Sequence, residues 1–467
     1  MNRKKLWSLF LVGLVMIMTI VSARTVTLSL LQQDISPYNQ EDVELYEMYV
    51  REFSKATGIQ LKLNLVPIPA GNYGEKVALL LAGGTYPDII WWRDDAELPY
   101  VDQGLLMDLS SMVFQSAVMD KAMPEWNKAR LENYPYILWI SPLQTRLAVT
   151  RKEWLDEFGR VPVTTDDYYD LLKFYKENKS KYGITITGDL SRLDWIFDAA
   201  FGVSQMWIQK EDGTWEFGKV SQGEKEKLAF YAKLYREGLL DPEFVTTGWQ
   251  GMEDKFYTGE VGMLVATAGI VLDLYQQRFW DRGVETELVP LPPPLGPSGK
   301  AGFTALNLNK EGRGFSITTT CKDPDVAFQL LEFMASDYGQ YLDRLGLEGR
   351  EYNIVNGEIV LTDRGKGWWP RFFEVPSWEA PIEMYGRVGT AALDIVHSIF
   401  EADNYYVMPQ QYATMRDEMN TIYKEYAVKI VTNQWPIEKF DEMVQLWKRA
   451  GGDLFTRLAN DHFSRAK

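Results

Sequence analysis

Cysteine and histidine are scarce in this chain of 467 residues, which has one cysteine, Cys321, and two histidines, His397 and His462. A single thiol excludes an internal disulfide framework and any zinc site built mainly on thiolates. Two histidines leave little room for imidazole metal ligation or a Ser-His-Asp triad, and neither HExxH nor GxSxG occurs. Positive charge is in deficit: 49 Lys and Arg stand against 65 Asp and Glu, a net charge of −16. A nucleic-acid partner needs the opposite, a basic footprint. Long apolar runs are missing after the first, Leu9 to Val21, which follows Arg3, Lys4 and Lys5. That run falls short of the roughly 20 residues of a membrane span. It ends at Val21-Ser22-Ala23, the small-residue pattern of an export-signal cleavage site. Residues 1–23 are therefore expected to be a signal peptide. Removing them leaves 46 basic against 65 acidic residues, a charge of −19. No cysteine stands just after the apolar run, so the expectation is an exported, periplasmic chain without a lipid anchor.

Aromatic residues are abundant, with sixteen tryptophans. The mature chain opens on alternating helical and strand patterns. Thr25 to Leu31 reads as a strand. Glu41 to Thr57 carries Tyr46, Tyr49, Val50 and Phe53 at helical spacing, with Gly58 at the C-cap position. Ile59, Leu61, Leu63 and Leu65 alternate with polar residues as in a strand. Tyr73 to Ala82 reads as a helix stopped by Gly83-Gly84, and Pro87 to Trp92 as a third strand. This order implies a parallel sheet with helices on its faces. Further on, Thr164 has the chemistry of an N-cap for a helix to about Asn178. Glu224 to Arg236 reads as a helix, Leu291 to Lys300 as a proline-rich loop, and Asp323-Pro324 as a helix start. Glu383 to Ala450 is mostly helical in pattern. Gly312-Arg313-Gly314 and Gly299-Lys300 are too fragmentary for nucleotide motifs, and Asp94-Asp95 reads as a solvated turn.

Five stretches in order resemble the extracellular solute-binding proteins of ABC importers, family 1, and in particular its larger oligosaccharide-binding subgroup. They are Leu79 to Ile90 (LLLAGGTYPDII), Tyr100 to Leu109 (YVDQGLLMDL), Lys152 to Gly159 with Pro162, Thr164 and Asp167, Phe256 to Met263 (FYTGEVGM), and Gly346 to Tyr352 with Asn356-Gly357. The resemblance implies an α/β protein with the two-lobe periplasmic-binding-protein fold of type II. Each lobe is then a mixed sheet flanked by helices, with ligand held in a cleft between lobes that close by a hinge. It places the N-lobe at 24–143 plus 272–320 and the C-lobe at 144–271 plus 321–467. It implies a carbohydrate ligand, ABC permease subunits as partners, a monomer, and no catalytic residues, cofactor or metal. The calcium loop of the larger subgroup would fall at Lys179 to Ile184, which offers too few oxygen ligands.

Sugar recognition has its own requirements. Pyranose C–H faces pack on aromatic rings, and the hydroxyls need polar partners. Ligands of open α/β sheets lie beyond the carboxyl ends of the strands. There the sequence puts Asp34, Trp91, Trp92, Arg93 and Asp94, with Tyr73 opening a helix nearby. In the other half, Trp195, Trp249, Trp368, Trp369 and Arg371 complete the candidate set. Trp207 and Trp378 also lie near polar segments, and Arg93, Arg146, Arg313 and Arg371 are of a type that pairs with a uronate carboxylate. Two adjacent strand residues point to opposite faces, so Trp91 and Trp92 should differ in environment. The competing readings are a secreted polysaccharide hydrolase or lyase, since many carboxylate pairs are available, and a sugar-sensing partner of a membrane kinase.

Overall fold

The computed structural model describes residues 25–465 apart from 34, 69–72, 93–96, 141–144, 307–313, 367–372, 405 and 407. Among the described residues the strands are β1 (Thr25–Leu31), β2 (Gln60–Leu65), β3 (Ile89–Trp92), β4 (Arg146–Arg151), β5 (Tyr182–Ile184), β6 (Trp207–Gln209), β7 (Trp215–Phe217), β8 (Val261–Thr267), β9 (Leu288–Leu291), β10 (Gly314–Ile317), β11 (Tyr352–Val355) and β12 (Glu358–Leu361). They form two four-stranded mixed sheets, ordered β10-β3-β1-β2 and β5-β8-β4-β9, and two hairpins.

The opening strand–helix unit forms as its periodicity predicts. Asn39 accepts a hydrogen bond from the Glu41 N–H (3.0 Å) and so starts the helix Gln40–Thr57. Gly58 ends it at φ 75°, where its N–H reaches the Ser54 carbonyl. Leu45, Tyr46, Tyr49 and Phe53 are buried against Val26, Leu28 and Leu30 of β1. Each buried side chain of this size contributes about 1.5–3 kcal/mol. β1 pairs in parallel with β2 and with β3, while β10 pairs antiparallel with β3.

The second sheet has a different local logic. Thr164 Oγ1 accepts from the Asp167 N–H (3.1 Å), and Asp167 Oδ2 accepts from the Thr164 N–H (3.0 Å). This capping box starts the helix Thr165–Asn178. Its inner stripe, Tyr168, Leu171, Leu172 and Tyr175, is fully buried. Two glycines let the helix lie close to the sheet. A Cβ on Gly262 of β8 would sit 2.2 Å from Tyr175 Cδ2, and one on Gly183 of β5 would sit 2.8 Å from Leu172 Cβ. The C-terminal helices Ala413–Val431, Lys439–Trp447 and Asp453–Arg465 add Met419, Tyr426, Ile430, Phe440, Trp447 and Phe455 to this core.

Side-chain packing divides the chain differently from the boundaries expected from sequence. The helix Pro324–Ala335 puts Val326, Leu330, Leu331 and Met334 into the first core, and Phe373 and Val375 join them. Tyr49 donates to the Gly339 carbonyl (2.9 Å) and binds the next helix to the same lobe. The helices Pro324–Ala335 and Asp337–Leu345, with Phe373 and Val375, therefore pack with the first lobe. Conversely, the helix Ile270–Asp281 leaves β8 directly and buries Leu272, Tyr275 and Phe279 with residues of the second sheet, and β9 pairs with β4. Residues 272–306 therefore pack with the second lobe.

Gly262→Ala should force the Tyr175 ring or the strand to move, at a cost of about 1–3 kcal/mol. A lowered urea midpoint checks this; an unchanged midpoint would mean that the helix shifts without strain.

Candidate ligand site at the sheet edges

The parallel strands of the first sheet end at Leu31, Leu65 and Trp92, and β5 and β8 of the second end at Ile184 and Thr267. Ile140 belongs to the first core and Leu147 to the second. Five residue steps link Ile140 to Thr145 and reach at most about 18 Å. The chain enters the second sheet at Arg146, which lies opposite Thr267. It returns to the first at Gly314, opposite Trp92. Both crossings thus join the two carboxyl edges. A third passage runs through Tyr385. The Arg344 guanidinium of the first lobe lies 5.7 Å from the Tyr385 ring centre. Asp273 of the second lobe accepts from the N–H groups of Gly386 and Gly389, both at 2.8 Å.

At the first edge, Tyr73 donates to the Trp91 carbonyl (2.7 Å) and its ring meets the Trp91 ring edge-on at 5.9 Å. Trp91 is partly buried. Trp92 points to the opposite face, as the pleat requires, and is fully buried. Its Nε1 donates to Ser316 Oγ (2.5 Å) and its ring stacks on Tyr100 at 5.5 Å. Trp92 is therefore a core residue and not a ligand contact, contrary to the expectation from sequence. Trp207 is likewise core, packed on Phe217 and Phe455. Asp34, Arg93, Asp94, Trp368, Trp369 and Arg371 lie outside the described residues.

The second edge brings together residues far apart in sequence. The Arg146 guanidinium lies 5.1 Å from the Trp195 ring centre, and that of Arg192 lies 4.5 Å from the Trp249 ring centre. Trp195 is 8% exposed and belongs to the second core, whereas Trp249 is 44% exposed. Arg192 Nε donates to Thr187 Oγ1 (2.8 Å), just after β5, and Nη1 donates to the Val265 carbonyl of β8 (2.7 Å). Arg192 carried no sequence signal, because nothing in Ser191-Arg192-Leu193 announces burial.

Behind Trp195 lies a buried ionic network. Lys227, fully buried, contacts Asp194 (2.8 Å), Glu224 (3.0 Å) and Asp198. Lys219 adds a second ammonium 2.9 Å from Asp194, and Tyr423 donates to Glu224. Three carboxylates thus share two cations. Burial would raise the Asp194 pKa, but Lys219 and Lys227 outweigh it and hold the group low. Asp198 is pushed up, by burial first and by its carboxylate neighbours as well, against the pull of the lysines. Among the described residues no group of three or more His, Cys, Asp or Glu side chains is arranged to hold a metal ion. In the Lys179–Ile184 stretch, Lys179 pairs with Glu157 and Lys181 with Glu260.

Two mixed sheets joined edge to edge define a two-lobe solute-binding protein. The chain belongs to the bacterial extracellular solute-binding protein family, whose model matches residues 37–341. Lipoprotein LipO of Bacillus subtilis (strain 168) is 22% identical over 456 residues, which cover 90% of this chain and 89% of that protein. Among solved structures, alginate-binding protein AlgQ2 without calcium ion superposes with a TM-score of 0.68 at 17% identity, covering 92% of this chain and 96% of the other. The S. pneumoniae ABC-transporter substrate binding protein FusA, an EF-hand mutant in complex with fructo-nystose, gives 0.62 at 18% identity, covering 95% and 100%. These likenesses show the fold. Among the described residues no helix is long and apolar enough to cross a membrane.

Lys227→Met should destabilise the protein by about 3–5 kcal/mol, because it leaves buried carboxylates without their cation. Those carboxyls then have folded pKa values raised above their unfolded ones. The folded variant takes up the proton first, so it gains stability as pH falls and loses it as pH rises through the raised pKa. Urea melts should show a smaller gap to the parent protein at pH 5 than at pH 8; an equal gap would place the cost in packing alone.

Proposed function

We propose that this protein captures an oligosaccharide between the two carboxyl edges and delivers it to the membrane subunits of an ABC importer. The observation that carries this reading is the aromatic and cationic lining of the second edge: an exposed Trp249 ring under Arg192, beside Trp195 under Arg146. An exposed indole offers a flat face for a pyranose ring, and adjacent guanidinium groups offer donors to its oxygens. Tyr73 and Trp91 stand at the opposing edge as partners for the other side of the sugar. Asp34, Arg93, Asp94, Trp368, Trp369 and Arg371 remain part of the proposed site on sequence grounds. Family membership and sugar-binding neighbours support capture without turnover. We further propose that the chain acts as an exported monomer. Its sequence argues against a lipid anchor, although a relative carries the name lipoprotein.

A thermal-shift screen against oligosaccharides tests the reading, since a ligand present at 100 times its Kd stabilises the folded state by about 2.7 kcal/mol. Trp249→Ala should weaken binding roughly tenfold. Trp280→Ala, which removes another exposed indole (52% exposed) on the helix Ile270–Asp281, should leave binding unchanged. Release of new reducing ends from the sugar would sink the carrier reading in favour of an enzyme, and equal affinities for both variants would remove Trp249 from the site.

A further inference from the structure

Arg192 is 7% exposed, yet among the described residues no carboxylate comes within 4.0 Å of its guanidinium nitrogens. The acidic groups around it are engaged elsewhere. Asp189 accepts from the N–H of Ser191 (2.9 Å) and from its hydroxyl (2.5 Å). Glu253 accepts from the Tyr275 hydroxyl (2.7 Å) and from Arg278 (2.8 Å). The neighbouring charge of greatest effect on Arg192 is another cation, Arg146; burial first and that repulsion second bring the Arg192 pKa down to about 10. Two of its five N–H donors reach protein oxygens, Thr187 Oγ1 and the Val265 carbonyl. A buried cation short of counter-charge is costly by itself. Here it stands at the carboxyl edge where the sheet rule puts a ligand, 4.5 Å from the centre of an exposed indole ring.

We infer that Arg192, reinforced by the charge of Arg146, binds a sugar carboxylate, so that the captured oligosaccharide contains uronic acid. This rests on the reading that a saccharide occupies the space between the sheet edges. The guanidinium fork matches the two oxygens of a carboxylate, and the anion supplies the charge that the protein withholds. Trp249, which holds one face of the guanidinium, extends the same surface toward the sugar ring.

Calorimetry with the full chain would compare oligogalacturonate and oligoalginate with methyl-esterified oligogalacturonate, sulfated galactan fragments, and neutral malto- and fructo-oligosaccharides. At least one oligouronate should bind, and its ester or neutral counterpart should bind roughly 10- to 100-fold more weakly, the size of a charge-assisted hydrogen bond. Arg192→Met, with its fold checked by near-ultraviolet circular dichroism, should abolish the preference for acid, and Arg192→Lys should keep part of it. The acid-versus-ester comparison on the unaltered protein holds even where the variant fails to fold. Binding of neutral or sulfated sugars alone, equal affinity for acid and ester, or a preference that survives in Arg192→Met would overturn the inference while leaving oligosaccharide capture intact. Absence of binding to every saccharide class would instead overturn the proposed function.

Discussion

The ion network around Lys227 ties the body of the second lobe to its carboxyl edge. Asp194 and Asp198 come from the helix Ser191–Phe197 and its C-terminal end, Glu224 and Lys227 from the helix Gln222–Arg236, and Tyr423 from the helix Ala413–Val431. Thr304 closes the ring, with its hydroxyl 3.0 Å from Asp198 and 2.8 Å from the Asp194 carbonyl. Its N–H donates to the Trp195 carbonyl (3.2 Å). An apolar core of the same volume would be as stable or more so. What the charges add is position: each carboxylate must meet an ammonium, so the helices have one productive register. The helix that carries Arg192 and Trp195 is thereby locked from behind, and a preorganised edge spends less of its binding energy on ordering side chains.

The two lobes are joined by the chain itself. Each has its own core, and the chain passes between them in three places. Two passages lead directly into β4, inside the second sheet, and β10, at an edge of the first. The third is pinned by Asp273 to the backbone of Gly386 and Gly389, where a Cβ on Gly389 would lie 2.2 Å from Asp273 Oδ2. A rigid anchor next to a passage that also touches Arg344 is the arrangement expected of a hinge, in which a few residues absorb the rotation and the packed cores do not deform. On the proposed reading, a ligand that reached both edges would favour a closed arrangement by its differential contacts.

Much of this was legible in the sequence, and what was not has a physical explanation. The first β-α-β-α-β unit follows from periodicity and from Gly58, because local caps and stripes decide it; the N-cap role of Asn39 came only with the structure. Thr164 and Asp167 likewise marked the helix that they cap. The lobe to which the helix Pro324–Ala335 belongs was not legible: its amphipathic pattern shows that it has an apolar face but not which sheet it covers. The Trp91-Trp92 pair shows both limits. Alternation foretold that the two would differ, yet only packing decided that Trp92 faces Ser316 and Tyr100. Arg192 was invisible because its role depends on Val265, Trp249 and Arg146, all long-range neighbours.

The acidity that first argued against nucleic acid now bears on ligand choice. A chain of net charge −16 repels an anion at long range. Salt at physiological strength screens charges beyond about 8 Å, so that repulsion fades outside the space between the lobes. Within it, what counts is the local balance, and at the second edge Arg192 adjoins carboxylates already committed to Ser191, Tyr275 and Arg278. Specificity for an acidic sugar would then come from a short-range, desolvated contact and not from steering. An acidic surface and a cationic second edge are compatible in this protein because they act over different distances.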